Sequence, residues 1–270
     1  MSDEVLLYNG TIKLRFDGRK HVYTVSTSTT LPDKWSEPIP VPSITTILKV
    51  IGKGDALTQW AANCAADYVR ETLKPGAPLD EIGISALADG ARFAFRRASK
   101  KACDIGTLVH RWVESYLLQQ RDKGPCPVVA LPLNNEAANA YMGAIKWLRH
   151  HAYKPQATET RLYSLKHNYA GTADAQGIAA SVNGKLCIVD WKTSKAIYPE
   201  YRFQTAAYAQ AYSEMTGQKV RDRWIVRIGK DGELEDLYLP PKTFKADLEA
   251  FLAAKKIYDR LQSIQPEVTQ

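Results

Sequence analysis

Apolar residues alternate between Ile12 and Val25, with Ile12, Leu14 and Phe16 on one side of Asp17-Gly18-Arg19 and Val22, Tyr23 and Val25 on the other. A period of two broken by turn residues predicts a β-hairpin. Residues Pro32 to Pro42 read as a proline-bearing loop, after which Ser43 is placed to cap a short helix carrying Ile44, Ile47 and Leu48. Beyond Gly52 and Gly54, the spacing of Leu57, Trp60, Ala61, Cys64 and Tyr68 predicts a second helix, ended by the segment Pro75 to Pro78. One long helix is expected from about Ile84 to Arg121, with Ile105, Leu108, Val109, Trp112 and Tyr116 on one stripe, and another from Asn135 to His150. The pattern then changes. Thr158 to Leu165, Ala170 to Val182, Lys185 to Lys192, Arg223 to Ile228 and Glu233 to Leu239 read as strands. Between the third and fourth, a helix runs from Pro199 to a Gly217 cap, and an amphipathic helix from Phe244 to Leu261 closes the chain. This order predicts a single α/β domain over residues 1–270. Residues 1–150 would form a hairpin and a mainly helical part, and 151–270 an α/β core with a mixed central sheet flanked by helices.

Composition narrows the class. The 270 residues are 45% hydrophobic and 24% charged, values of ordinary globular proteins, so general disorder and fibrous classes are excluded. No apolar run approaches the length of a bilayer span, which argues against a membrane partner, and the acidic start Met1-Ser2-Asp3-Glu4 is unlike a basic signal or transit peptide. A cytoplasmic location is therefore expected. Cys64, Cys103, Cys126 and Cys187 form no CxxC pair and read as reduced, mostly buried thiols. The net charge of +7 fits a protein that contacts phosphate backbones, although charge alone does not establish it.

The chemistry concentrates at Lys185-Leu-Cys-Ile-Val-Asp190-Trp-Lys192. Leu186 to Val189 reads as a buried strand, and its period of two puts Asp190 and Lys192 on one face at its end. Upstream, Gly171-Thr-Ala-Asp174 begins the preceding strand, with Asn183-Gly184 at the turn. A three-residue loop of Val182-Asn183-Gly184 would set Asp174 opposite Lys192 on the face of Asp190, whereas a two-residue loop would put it on the other face. The first register is the expected one. Two carboxylates beside a lysine are hard ligands suited to Mg²⁺ or Mn²⁺, and the lysine can serve as a cation toward phosphoryl oxygens or as a base.

Gly171-Thr-Ala-Asp174, Asp190-Trp-Lys192 and Gln204-Thr-Ala-Ala-Tyr208, preceded by Gly106-Thr-Leu-Val-His110, resemble the PD-(D/E)XK nuclease superfamily. The likeness is to its RecB-like, phage and mitochondrial exonuclease branch with GxxxH and QxxxY motifs, and Pro42-Ser-Ile-Thr-Thr-Ile-Leu48 resembles an N-terminal signature of the phage and mitochondrial members. Two positions depart from the pattern: Ala173 stands where the family name has proline, and Asp190 is shorter by one methylene than the common glutamate.

The resemblance implies a restriction-endonuclease-like core and a metal-dependent DNA exonuclease acting in phage or bacterial recombination, repair or replication. It implies His110, Asp174, Asp190 and the Trp191 carbonyl as ligands of Mg²⁺ or Mn²⁺, and Lys192 as the catalytic lysine. Gln204 and Tyr208 would position the site and DNA. Glu159 is expected to orient a ligand or the lysine, or to form a plain strand ion pair with Arg161. The implied partners are DNA and a single-strand annealing or binding protein. An iron-sulfur cluster is not expected, because no cysteine follows Cys187, and no GxxxxGK[ST] loop suggests ATP. An endonuclease or nickase, or a non-catalytic DNA-binding module of the same fold, would share these motifs. The His150-His151 doublet, with no acidic neighbour in sequence, is expected to cap a helix end. The pairs Arg96-Arg97 and Lys100-Lys101 read as solvated faces or a phosphate track.

Overall fold

In a computed structural model, residues 3–28, 34–52, 54–74, 76, 80–123, 135–182 and 184–268 are described. Cys126, Asn183, Pro32, Pro75 and Pro78, all named above, lie outside them. The chain forms two compact units, one of residues 1–51 with 109–270 and one of residues 52–108.

The larger unit holds two sheets. Strands β1 (Asp3–Leu7), β2 (Ile12–Asp17), β3 (Val22–Thr27) and β4 (Ile39–Val41) form an antiparallel meander in chain order. The expected hairpin is thus its centre, and part of the proline-bearing loop is its edge strand. Helix α1 (Ile44–Leu48) follows, with Ser43 Oγ accepting from the Thr46 amide as the sequence suggests. The second sheet has order β5 (Lys154–Ser164), β6 (Tyr169–Ala179), β7 (Lys185–Lys192), β8 (Asp222–Ile228) and β9 (Leu234–Leu239). Its only parallel pair is β7 with β8, because α6 (Glu200–Thr216) crosses between them. The chain closes with α7 (Pro241–Val268).

Both faces of this sheet are covered, which explains the unbroken apolar run of β7. On one face, α1, α6 and α7 bury Ile44, Ile47, Tyr208 and Phe251 against Leu162, Tyr169, Ala173 and Ile188. On the other, α5 (Asn135–His150) brings the Trp147 ring to 5.3 Å from Trp191 and 5.5 Å from Trp224, edge to face. The first sheet joins the second through a smaller core of Ile12, Leu14, Tyr23 and Val25 with Tyr163 and Ala170, and Tyr8 Oη donates to the Tyr163 carbonyl.

The smaller unit contains α2 (Gly54–Thr72), α3 (Glu81–Arg92) and the beginning of α4 (Ala94–Asp122). The single long helix expected from Ile84 is therefore two: Phe93, at φ −103° and ψ 4°, ends α3 and separates it from α4. Gly90 is needed here, since a Cβ would run into the Tyr68 ring and hydroxyl of α2. Arg97 then lies 4.8 Å over that ring and donates to the Gly90 carbonyl.

Two further expectations are corrected. His151 does not simply cap a helix: it is buried, with Nε2 3.2 Å from Asp236 Oδ2 and Nδ1 2.6 Å from Ser181 Oγ, partners that only the fold brings near. Of the described cysteines Cys187 alone is buried, Cys64 is half-buried and Cys103 is exposed.

Candidate metal centre

Four elements of the larger unit, three strands and a helix, converge where β7 ends. The β6–β7 ladder runs from Ala179↔Lys185 to Ala175↔Val189. One step further lie Asp174 and Asp190, so the expected opposition of Asp174 to Lys192 is displaced by two residues. The reason is the connection, which spans residues 180–184, includes a 3₁₀ turn at Ala180–Val182 and ends on Gly184 at φ 63°. A shift of two keeps the parity, so the two carboxylates still meet. Asp174 Oδ2 accepts the Trp191 amide at 2.8 Å, which fixes it across the strand end.

Asp190 is fully buried, with Lys192 Nζ 2.7 Å from its Oδ2, as the shared strand face requires. Its Oδ1 has no hydrogen-bond partner among the described residues. A buried carboxylate oxygen left unpaired costs about 1–3 kcal/mol, the sort of cost that a ligand removes. Burial pushes the Asp190 carboxyl above its ordinary value, with Asp174 adding to the rise and Lys192 opposing it. Burial acts to lower the Lys192 ammonium, but the Asp190 and Asp174 carboxylates outweigh it and raise it. Lys192 therefore stays charged, and its Nζ also sits 4.7 Å over the Tyr201 ring of α6.

His110 enters from α4, in the part of that helix belonging to the larger unit, with Nδ1 3.7 Å from Asp174 Oδ2. Glu159 enters from β5. It lies between the pairs Thr158↔Ala175 and Thr160↔Ala173, hence across from Asp174. Ligand atoms of His110, Glu159 and Asp174 all fall within 4.8 Å of one another. Glu159, expected to act behind the ligands, stands among them, while Asp190 is turned toward Lys192. The backbone of Glu159 has φ 45°, a left-handed conformation that costs a non-glycine residue about 1–2 kcal/mol. The strand also carries a register shift between Pro155 and Ala157, and strained backbone of this kind is found at positions held for function. Burial first, and then the Asp174 and Glu114 carboxylates, raise the Glu159 carboxyl to about 8, against a smaller opposing pull from Arg161.

Gln204 and Tyr208 are both buried one turn apart on α6, and Gln204 Nε2 donates to Tyr208 Oη at 2.7 Å. The Tyr208 ring lies against Gly171, where an added Cβ would be 3.0 Å from its Cε1 and 2.8 Å from Ile44 Cδ1. The glycine of the Gly171-Thr-Ala-Asp174 block thus lets the helix approach the strand beside the carboxylates.

The donor set fits a divalent metal of the Mg²⁺ or Mn²⁺ type: carboxylate oxygens dominate, one imidazole is compatible with Mn²⁺, and Asp190 supplies an unpartnered buried oxygen. Residues His110, Glu159 and Asp174 could hold it, with Asp190 beside them on the next strand as a further candidate.

No family model matches the chain, and no curated protein matches it. Among solved structures, the crystal structure of SSO0001 is similar over 73% of this chain and 85% of its own, at 14% identity and a TM-score of 0.26. A likeness at that level carries no argument. The arrangement of residues is what bears on function, in an α/β chain in which no described helix is long and apolar enough to cross a membrane.

Proposed function

We propose that this chain is a metal-dependent DNA exonuclease with a restriction-endonuclease-like core. The observation that carries the reading is the convergence of His110, Glu159 and Asp174 beside a fully buried Asp190 whose Oδ2 lies 2.7 Å from Lys192 Nζ. That set agrees with the resemblance of the four sequence blocks to PD-(D/E)XK nucleases, and it draws residues from a helix and three strands.

When bound, Mg²⁺ or Mn²⁺ would supply an acidified water and neutralise charge on the phosphoryl oxygens. His110, Glu159, Asp174 and Asp190 would hold it, with the Trp191 carbonyl as a further ligand by resemblance. Lys192 acts as a cation: the two carboxylates that keep it protonated make it a poor base, and as an ammonium it would stabilise negative charge growing on a phosphate. Asp190 fixes that ammonium at 2.7 Å. The Trp191 amide holds Asp174, and the Gln204–Tyr208 pair fills the wall behind the strand ends. Excluding water from this wall strengthens each charge interaction within it.

The test is digestion of end-labelled linear and covalently closed circular DNA, single- and double-stranded, with Mg²⁺, Mn²⁺ or EDTA. The reading requires metal-dependent release of label from linear DNA with circles intact. Cutting of circles would replace it by an endonuclease. Salt-sensitive binding without any cutting would leave a non-catalytic DNA-binding module.

A further inference from the structure

The smaller unit carries a charged stripe that the metal centre does not use. From Arg92 to Lys101 the chain has Arg92, Arg96, Arg97, Lys100 and Lys101 and no acidic residue, and all five are exposed. On a helix, residues four apart stand one above the other, about 6 Å apart along the axis. In α4, Arg96 and Lys100 therefore form one row and Arg97 and Lys101 a second beside it, with Arg92 and Phe93 just before the first turn. Charged helix faces ordinarily alternate acid and base at this spacing. Here, among the described residues, no carboxylate pairs with Arg92, Arg96, Arg97 or Lys100.

Aromatic rings are interleaved with the charges. The guanidinium carbons of Arg92 and Arg96 lie 5.5 and 5.1 Å from the Phe93 ring centroid, and Arg96 is 5.8 Å from that of Phe95. Phe93 itself is 38% exposed at the junction of α3 and α4, so its ring is open to a partner. Arg92, Arg96, Arg97 and Lys100 thus repel one another, a cost that a polyanion of comparable charge spacing removes while releasing its condensed counterions. Exposed rings and guanidinium planes stack on unpaired bases, which a single strand offers and a duplex does not.

We propose that Arg92, Arg96, Arg97, Lys100 and Lys101, with Phe93, form a track for one strand of nucleic acid that reads backbone and stacking and not sequence; the proposal rests on the proposed function for the class of polymer alone. The experiment measures affinity of the full-length chain for a fluorescent single-stranded oligonucleotide and its duplex in EDTA, as a function of salt. The variant is Arg92→Gln/Arg96→Gln/Lys100→Gln. Arg97 is left in place because it also holds the Gly90 carbonyl.

Each single-strand phosphate contact contributes about 0.7 to the slope of log affinity against log salt, so three lost contacts lower the slope by about 2. Between 50 and 200 mM salt the wild type then loses about 20-fold more affinity than the variant. The charge-keeping Arg92→Lys/Arg96→Lys retains the wild-type slope and serves as the folding control. Phe93→Ala weakens single-strand binding about 5-fold or more at every salt concentration with the slope unchanged.

An unchanged slope in the Gln variant overturns the track, as does preference for the duplex. The two readings fail separately. A chain that shows the slope change and cuts nothing refutes the nuclease and keeps the track; one that cuts with an unchanged slope does the reverse.

Discussion

Glu159→Gln should make the metal-free protein more stable, and only at high pH. In the folded chain the Glu159 carboxyl is raised from 4.5 to about 8 by burial and by Asp174 and Glu114. Because the folded value lies above the unfolded one, the favourable contribution is full at acid pH, where both states hold the proton, and is lost as pH rises to the folded value. Across that window the unfolded chain releases a proton that the folded chain keeps, and stability falls by about 1.4 kcal/mol per pH unit. From 4.5 to about 8 the loss reaches about 5 kcal/mol. Glutamine does not titrate, so the variant escapes it. Urea melts in EDTA at intervals from about pH 4.5 to 8.5 should show nearly equal stability at the acid end. At the alkaline end the variant should lead by about 3–5 kcal/mol, or about 10 °C in Tm for a chain of this size. Saturating Mn²⁺ should narrow that gap from the wild-type side, since a ligand that binds only the folded state stabilises it by mass action and the variant binds it more weakly. Stability curves that run parallel at all pH values would refute the placement of Glu159 among the carboxylates.

Lys192→Met should lower kcat for cleavage about 100-fold or more while metal affinity changes little, read by single-turnover kinetics with a parallel metal titration. Asp247→Ala should destabilise the fold by about 3–5 kcal/mol in chemical denaturation, because it strands the fully buried Arg223 guanidinium, 2.7 Å from the Asp247 carboxylate. Gly171→Ala should cost about 1–3 kcal/mol by overpacking and also lower kcat, since the new methyl must displace the Tyr208 ring or Ile44; an unaltered kcat would mean the helix is free to shift.

Much of the architecture was legible in the residues, for reasons that differ from element to element. The α5 helix has the expected bounds because Asn135 to His150 keeps a helical period throughout. The Asp190–Lys192 pair followed from strand periodicity alone. The β6–β7 register was misplaced by two residues because a 3₁₀ turn at Ala180–Val182 leaves no apolar signature distinct from a continuing strand. The break at Phe93 is marked only by Gly90, three residues before it, and a single glycine is tolerated inside a helical pattern. The place of Glu159 among the ligands is not legible, since nothing in Thr158-Glu-Thr announces a left-handed backbone and a glutamate in a strand is ordinarily a surface ion pair. The partnership of His151 with Asp236 joins residues 85 apart in sequence, a relation no local pattern contains. What sequence conveys is periodicity and residue chemistry; the choice among ligands depends on turns and strained backbone, which packing decides.

Whether His110, Glu159, Asp174 and Asp190 hold a divalent ion is measured by calorimetric titration with Mn²⁺. Wild-type protein should bind Mn²⁺ saturably near neutral pH, with a heat that varies with the ionisation enthalpy of the buffer as Glu159 gives up its proton. Asp174→Asn and Glu159→Gln should each weaken binding at least about tenfold, as loss of ligands or their supports does. A wild type with no saturable heat, or both variants binding as tightly as the wild type, would contradict the assignment of this cluster as a metal centre.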